Sequence, residues 1–557
     1  MRDVIYKYAL KNALDYGRAE PKAVLGKVLQ EKPELKKKVR ELLPILSQVV
    51  DEVNTLSMDE VREKIKSYEF AARKKEKKTL PDLPRPEKVV LRFAPNPSGP
   101  LHLGHCRAAI LNDEYARRYG GTLILRFEDT DPSRVDPGAY AMIEEDLGWL
   151  GVNYHEVAVQ SERLEYYYRY ARELLEAGNA YVCTCPPDKL RAMRSAGEAC
   201  GCRGKKIEEN LQDFSRMFSE FREGEAVVRL KTSLSLRDPT MRDFVIMRIS
   251  ETPHPRAPGR RVYPLYNFAV AIDDHLMGMT HILRGKDHLI NTKKQEFIYE
   301  YLSWSKPKFI HYGLMKVEGL ELSTSLMARG IKEGKYSGWG DLRLGTLIAL
   351  RRRGIRPEAI RKAIVDVGIK STDISFSWKN LYAYNRELVD RDARRYFFVP
   401  APKLLRIRDS GKVREKYTAP SHPDRPELGQ RELRFELSEG EARTYIAGED
   451  YKRLKKGDVV RLMEAFNVEV LEKKDGTVLA RFHSQSLKEA RRLRAPLIQW
   501  ASQLNVEVEM PDGSAIRGYG EADLAKADVG DVVQLERFGF VRIDMMGEPL
   551  VACYTHR

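Results

Sequence analysis

Lys88-Val89-Val90-Leu91-Arg92-Phe93 opens the stretch that decides the fold. The run is short and rich in β-branched and apolar residues, the composition of a buried strand. Ala94-Pro95-Asn96-Pro97-Ser98-Gly99-Pro100 can be neither helix nor strand and reads as a loop. From about His105 to Tyr119 an apolar stripe at helical spacing passes through Ala108, Leu111, Tyr115 and Tyr119, closed by Gly120-Gly121. Thr122-Leu123-Ile124-Leu125-Arg126-Phe127 is a second strand. Strand, loop, helix and strand form a βαβ unit, the start of a parallel α/β sheet.

Working outward, Ser161 to Ala177 reads as a capped helix ended by Gly178. Residues 226 to 265 read as strands and turns, and Phe268 to Leu302 as buried strand and helix in alternation. Leu347 to Arg353 and Pro357 to Val367 read as helices in an Arg-rich region. Beyond Tyr396 short alternating runs are broken by Asp475-Gly476 and Asp512-Gly513, both hairpin signals. On the N-terminal side, Met1 to Pro86 reads as a helical module with 20 Lys/Arg against 14 Asp/Glu. Ser57-Met58-Asp59-Glu60 has the form of a capping box, and Val61, Ile65, Tyr68 and Ala72 continue it as one apolar stripe. The basic run Arg73-Lys74-Lys75-Glu76-Lys77-Lys78 leads into Leu80-Pro81-Asp82-Leu83-Pro84-Arg85-Pro86, too rich in proline for a helix, hence a linker.

At roughly 100–200 residues per domain, the chain predicts about three to five domains. With 42% apolar residues, 9% aromatics and no long uncharged apolar run, it is neither disordered nor membrane-spanning. No signal peptide is evident, and six cysteines are too few for a disulfide scaffold, which points to the cytoplasm. The formal charge of +15 favours a polyanionic partner, nucleic acid above all.

The loop after the first strand ends in His102-Leu103-Gly104-His105. A helix N-terminus in a βαβ unit attracts anions through its free N–H groups, and histidines there add donors to a phosphate. Arg92 through His105 resembles the HIGH signature of class I aminoacyl-tRNA synthetases. Phe127-Glu128-Asp129-Thr130-Asp131-Pro132, Tyr263 through Gly278, and Ile282-Leu283-Arg284-Gly285 resemble blocks of the glutamyl/glutaminyl branch. Leu322-Ser323-Thr324-Ser325 stands in the place of KMSKS. The N-terminal module and β-type tail are similar to those of archaeal-type glutamyl members.

The resemblance implies ATP-dependent attachment of L-glutamate to tRNA through glutamyl-adenylate, with transfer to the 2′-hydroxyl of the terminal adenosine. It implies a multidomain α/β chain in which a Rossmann-type core carries an inserted acceptor-binding domain, a helical appendage and C-terminal β-barrels. The expected divisions are 1–86 (appendage), 87–182 and 263–335 (core halves), 183–262 (insert), 336–395 (helical, tRNA stem) and 396–557 (anticodon barrels). His102, Gly104 and His105 would serve ATP, with Asp287 and His288 near the nucleotide. Ser323, Thr324 and Ser325 would close on pyrophosphate. Mg²⁺ is expected with ATP.

The resemblance puts Arg92, Ala94, Asn96, Glu128, Tyr266 and Arg284 around glutamate. Arginine suits a buried carboxylate through its two-pronged donor geometry, and glutaminyl enzymes lack an arginine at the Arg284 position. One departure stands out. The KMSKS-like loop has no lysine, leaving Lys316, Arg329 and Lys332 as nearby cations. Cys183, Cys185, Cys200 and Cys202 form two Cys-x-Cys pairs, which can hold a structural Zn²⁺ or stand as reduced thiols. Arg351-Arg352-Arg353, Arg391, Arg394 and Arg395 are expected to meet the tRNA stem. The partners are then ATP, glutamate and tRNA-Glu, with tRNA-Gln left open. No membrane is involved, and the N-terminal helices are a candidate protein-binding module. The alternatives are a glutaminyl-tRNA synthetase and a catalytically silent RNA-binding relative.

Overall fold

The structure, a computed structural model, describes residues 2–32, 34–35, 39–65, 67–68, 80–85, 87–438, 440–501 and 504–557. The chain divides into two compact units, Met1–Lys78 and Thr79–Arg557. In the first, helices Arg2–Tyr16, Pro21–Glu31, Val39–Asn54 and Met58–Ile65 enclose a core that includes Ile5, Leu42, Val49 and Val61. The capping box forms as its sequence demands. The Ser57 N–H donates to Glu60 Oε2 at 2.8 Å, and the Glu60 N–H donates back to Ser57 Oγ at 3.3 Å. Ala72, the basic run 73–78 and Pro86 lie outside the described residues.

The second unit is built on the expected βαβ element. Val90–Phe93 and Thr122–Phe127 pair in parallel, and Glu156–Val159 joins on the far side of Thr122–Phe127. The intervening helix, Leu103–Tyr119, stops where Gly120 turns left-handed at φ +57°. Gly121 must follow as glycine, since a Cβ there would lie 2.4 Å from the Val89 carbonyl oxygen.

A second parallel pair, His281–Gly285 with Lys308–Tyr312, is stitched to the first through Thr280. Its N–H donates to the Val90 carbonyl at 3.1 Å, and its Oγ1 accepts the Val90 N–H at 2.8 Å. The strand order therefore reverses between Val90–Phe93 and His281–Gly285. In an open α/β sheet, such a switch point leaves a crevice at the carboxyl ends of the strands.

Helix Tyr266–Leu276, not a strand, begins the segment expected to alternate strand and helix. Ser161 likewise does not cap its helix, which starts at Leu164; its N–H and Oγ both donate to Asp129 instead. Between the two halves of the core, Ala180–Cys183, Val227–Leu230, Val245–Ile249 and Val262–Pro264 form a four-stranded antiparallel sheet.

Helices Leu347–Arg352, Pro357–Val367 and Trp378–Val389 pack on the same apolar core as the first strands. Leu80 and Leu83 join that core too, so the linker segment is fixed there. Two β-sheets follow, and each closes through one broken strand. The seven-stranded sheet begins with Arg395–Tyr396 and ends with Phe398–Pro400, which are neighbours in the chain. The eight-stranded sheet is bound at opposite places by Leu497–Ile498 and Trp500–Ala501. Both Asp-Gly signals fall in the turns expected of them, with Asp475 and Gly476 at φ +50° and +77°. Among the described residues no helix is long and apolar enough to cross a membrane.

The Arg-rich triplet is mostly occupied within the chain, contrary to the tRNA-stem expectation. Arg352 pairs with Glu509 and Asp544, both at 2.8 Å. Arg353 is buried and donates to Tyr382 Oη at 2.8 Å and the Thr555 carbonyl at 3.3 Å. These bonds tie the helical region to the seven-stranded sheet. Arg395 pairs with Asp390, while Arg391 and Arg394 face solvent.

Candidate active site

A cavity of about 880 Å³ opens at the switch point. Arg92, Ala94, Asn96, His105, Glu128, Tyr266, Arg284 and His288 line it, so the structure gathers eight of the expected residues. Arg134, Arg194, Arg248 and Lys294 line its other end, beside the inserted domain. His102, Gly104, Asp287 and Ser323–Ser325 are not among the lining residues; Asp287 sits largely in solvent.

The first signature is a helix start capped by imidazoles. His102 Nδ1 accepts the Gly104 N–H at 3.1 Å, and His105 Nδ1 accepts the His102 N–H at 3.3 Å. Each ring therefore carries its proton on Nε2. Burial lowers both pKa values, to about 2 for His102 and about 4 for His105, so the rings are neutral donors. Glycine at 104 has an internal cause as well: a Cβ would lie 2.8 Å from His102 Cε1.

The second signature packs against the first. Ser323 caps helix Thr324–Lys332, and Leu322 lies against Gly104 and Gly345. A Cβ on Gly99 would meet Thr324 Cγ2 at 2.7 Å, so that glycine lets the two loops touch. Ser325, Arg329 and Lys332 recur at i, i+4 and i+7 on the exposed face of the helix. Among the described residues none of Arg329, Lys332 and Lys316 forms a salt bridge; Asp373, near Lys316, pairs with Lys286 at 2.9 Å.

At the cavity floor, Arg284 is 5% exposed. Its Nη2 donates to Thr292 Oγ1 at 2.6 Å and Gln295 Oε1 at 2.8 Å, while its Nε and Nη1 are buried with no hydrogen-bond partner among the described residues. Arg92 donates through Nε to Asp274 Oδ1 at 3.1 Å. The same oxygen accepts Arg126 Nη1 at 2.7 Å, and Arg126 Nη2 meets Glu128 Oε1 at 2.9 Å. Burial pushes Asp274 upward, but Arg92 and Arg126 outweigh it and hold its pKa low; burial prevails at Glu128, which is raised. Tyr266 Oη lies 3.1 Å from His288 Nδ1, and burial lifts the phenol to about 12.

Sequence reasoning missed Arg126, Asp274, Thr292 and Gln295. A usable signal existed for the first: an arginine inside the run Leu123-Ile124-Leu125-Arg126-Phe127 must be paired if that strand is buried. Asp129, beside Glu128, turns away from the cavity and accepts Tyr140 Oη at 2.6 Å. One block thus supplies a cavity residue and a scaffold residue at adjacent positions.

In the insert, the Sγ atoms of Cys183, Cys185, Cys200 and Cys202 all lie within 4.8 Å of one another. The Cys183–Cys200 and Cys185–Cys202 separations are 3.7 and 3.8 Å. Zinc–sulfur bonds of about 2.3 Å require tetrahedron edges of roughly 3.8 Å, so these thiols fit a closed tetrahedral site. Arg229 Nη1 stands 3.6 Å from Cys200 Sγ, a cation placed to offset thiolate charge.

A switch-point crevice, a histidine-capped helix start and two touching signature loops define a nucleotide-activating enzyme of the class I synthetase type. The sequence matches the family described as tRNA synthetases class I (E and Q), catalytic domain, over residues 88–391, and the anti-codon binding domains of the same class over 393–485 and 497–544. The chain belongs to this family. A glutamate–tRNA ligase of Methanocaldococcus jannaschii is 52% identical with 100% of each chain covered. One of Methanopyrus kandleri is 50% identical, covering 100% of this chain and 99% of its own. A solved glutamate tRNA ligase of Elizabethkingia meningosepticum, in complex with its amino acid, is 25% identical. It covers 55% of this chain and 70% of its own, at a TM-score of 0.39.

Proposed function

We propose that the chain is a glutamate–tRNA ligase, activating L-glutamate with ATP and passing it to the 2′-hydroxyl of the terminal adenosine of tRNA-Glu. The observation that carries this reading is Arg284, which offers two buried, unpartnered donors at the cavity where a side-chain carboxylate would sit. Glutamine would turn an amide N–H₂ toward them, and a site built for a polar partner rejects the wrong isostere by roughly 10⁴–10⁵. The full-length relatives carry the same name. Glutaminyl and silent-adaptor readings are not favoured.

Glutamate lies between Arg92 and Arg284, with Glu128 facing its ammonium and Ala94, Asn96 and Tyr266 shaping the walls. His105 and His102 present Nε2–H groups to the phosphates of ATP, and Mg²⁺ bound with ATP would offset the remaining phosphate charge. Little covalent chemistry is asked of the protein, so positioning and charge carry the rate. The loop Ser323–Ser325 closes on pyrophosphate, and Arg329 supplies its missing charge. It lies about 7.5 Å along the helix from Thr324 at 1.5 Å per residue, and helical side chains lean toward the N-terminus.

The four cysteines hold a structural Zn²⁺ in the insert (183–262). The basic cavity end at Arg134, Arg194, Arg248 and Lys294 receives the tRNA acceptor end, and the barrels (396–557) read the anticodon. Four reduced thiols and the tRNA substrate suit a cytoplasmic enzyme. Charging assays with labelled glutamate and glutamine on tRNA-Glu and tRNA-Gln test the reading. Glutamate transfer to tRNA-Glu is expected, and glutamine transfer would refute it.

A further inference from the structure

Arg126 and Asp274 do not line the cavity, yet both are buried charges beside it, Arg126 at 0% exposure and Asp274 at 1%. Asp274 Oδ1 is shared between Arg92 Nε and Arg126 Nη1, and Arg126 reaches on to Glu128. Among the described residues, Arg92 has no other side-chain hydrogen bond, so its two Nη groups remain for the cavity. Asp273, next in the chain, is answered separately by Arg163 at 2.9 Å and by Tyr167 and Gln160.

The charge of the cluster follows. Arg92, Arg126 and Arg284 are opposed by Asp274 and Glu128, which leaves one positive charge in excess. Glutamate as a zwitterion with an ionised side chain carries one net negative charge; glutamine carries none. A buried charge is costly unless paired, so the cluster is balanced by glutamate and unbalanced by glutamine.

We infer that Arg126 is a specificity-determining positioning residue: without touching the substrate, it supplies the unit of charge that makes the pocket require an anionic side chain. Arg92 and Arg284 alone would be cancelled by Asp274 and Glu128. Arg126 tips the balance, and Asp274 holds it within reach of Arg92. A unit charge several ångströms behind a buried anion shifts its affinity by roughly one to two orders of magnitude at an effective dielectric near 20.

This inference rests on the glutamate reading above, and its test separates the two. Charging of tRNA-Glu is measured with glutamate and with glutamine for the wild type, Arg126→Gln (cluster charge zero), Arg126→Lys (excess retained) and Arg126→Gln/Asp274→Asn (excess retained without the guanidinium). Arg126→Gln is expected to raise the KM for glutamate at least tenfold, with the KM for ATP within about twofold of wild type. Its glutamate-to-glutamine ratio of kcat/KM falls at least tenfold, equivalent to about 1.4 kcal/mol. Arg126→Lys and the double variant keep that ratio within about threefold.

A ratio unchanged in Arg126→Gln overturns the inference. So does a ratio lost equally in all three variants, since bonding geometry rather than charge would then be responsible. If Arg126→Gln does not fold, the double variant decides, because it removes the same guanidinium while keeping the charge. A wild type that prefers glutamine refutes the underlying substrate reading instead.

Discussion

His102 and His105 stack with their ring centroids 3.7 Å apart and their planes 20° from parallel. Two like imidazoles at that distance cannot both be charged, and burial already holds them neutral. The arrangement fixes both Nδ1 atoms as acceptors and leaves the proton of each ring on Nε2, the donors that the proposed reading assigns to phosphate.

Because neither ring titrates near neutrality, adenylate formation should show no inflection near pH 6.5 arising from this pair. The stability consequence has a definite sign. The unfolded rings take up protons below about pH 6.5, while folded His105 resists until about pH 4, so stability falls as the pH drops through that window. The slope is at most about 1.4 kcal/mol per pH unit for each ring. Urea midpoints measured from pH 7 to 4.5 should fall less steeply in His105→Gln; an equal slope would contradict the assignment.

Replacing His102 with alanine should reduce adenylate formation at least 100-fold, the scale of one lost transition-state donor, with tRNA affinity nearly unchanged. Retained activity would remove the imidazoles from the phosphate site.

The KMSKS-like helix gives a comparative prediction. Arg329→Ala should slow pyrophosphate exchange by at least tenfold and raise the KM for pyrophosphate. Lys316→Ala, on the strand Met315–Lys316 rather than on this helix, should change either by less than twofold. Reversed effects would move the missing charge to Lys316.

Much of this architecture was legible in the chain. The βαβ unit announced itself because strand and helix have different apolar periods and the loop between them holds three prolines. The cysteine pairs were legible because their spacing is local. Arg352 and Arg353 were not: their partners Asp544 and Thr555 stand 192 and 202 residues away, and an arginine's occupancy cannot be read from its neighbours in the chain. The Arg126–Asp274 bond spans 148 residues and was missed for the same reason.

The cysteine cluster predicts about one zinc per chain by metal analysis of protein produced with zinc present. Cys183→Ser/Cys202→Ser should fall to background and lose transfer to tRNA more than pyrophosphate exchange, since the cluster lies in the insert rather than beside His105. A zinc-free, fully active wild type would return the four residues to simple reduced thiols.

Arg107 predicts a cost in stability. It is 1% exposed, follows His105 by two residues, and donates to the Gly313 and Gly368 carbonyls. Arg107→Met would strand buried acceptors at about 1–3 kcal/mol each, so a loss of several degrees in Tm is expected by calorimetry. A variant as stable as wild type would show that this helix is anchored elsewhere.

The central claim, that this site activates glutamate, is tested most directly by ATP–pyrophosphate exchange with glutamate and with glutamine, each with and without tRNA-Glu. Exchange with glutamate and not with glutamine is the predicted result. Exchange with glutamine would contradict the role given to Arg284, and no exchange under any condition despite tRNA binding would contradict catalysis itself.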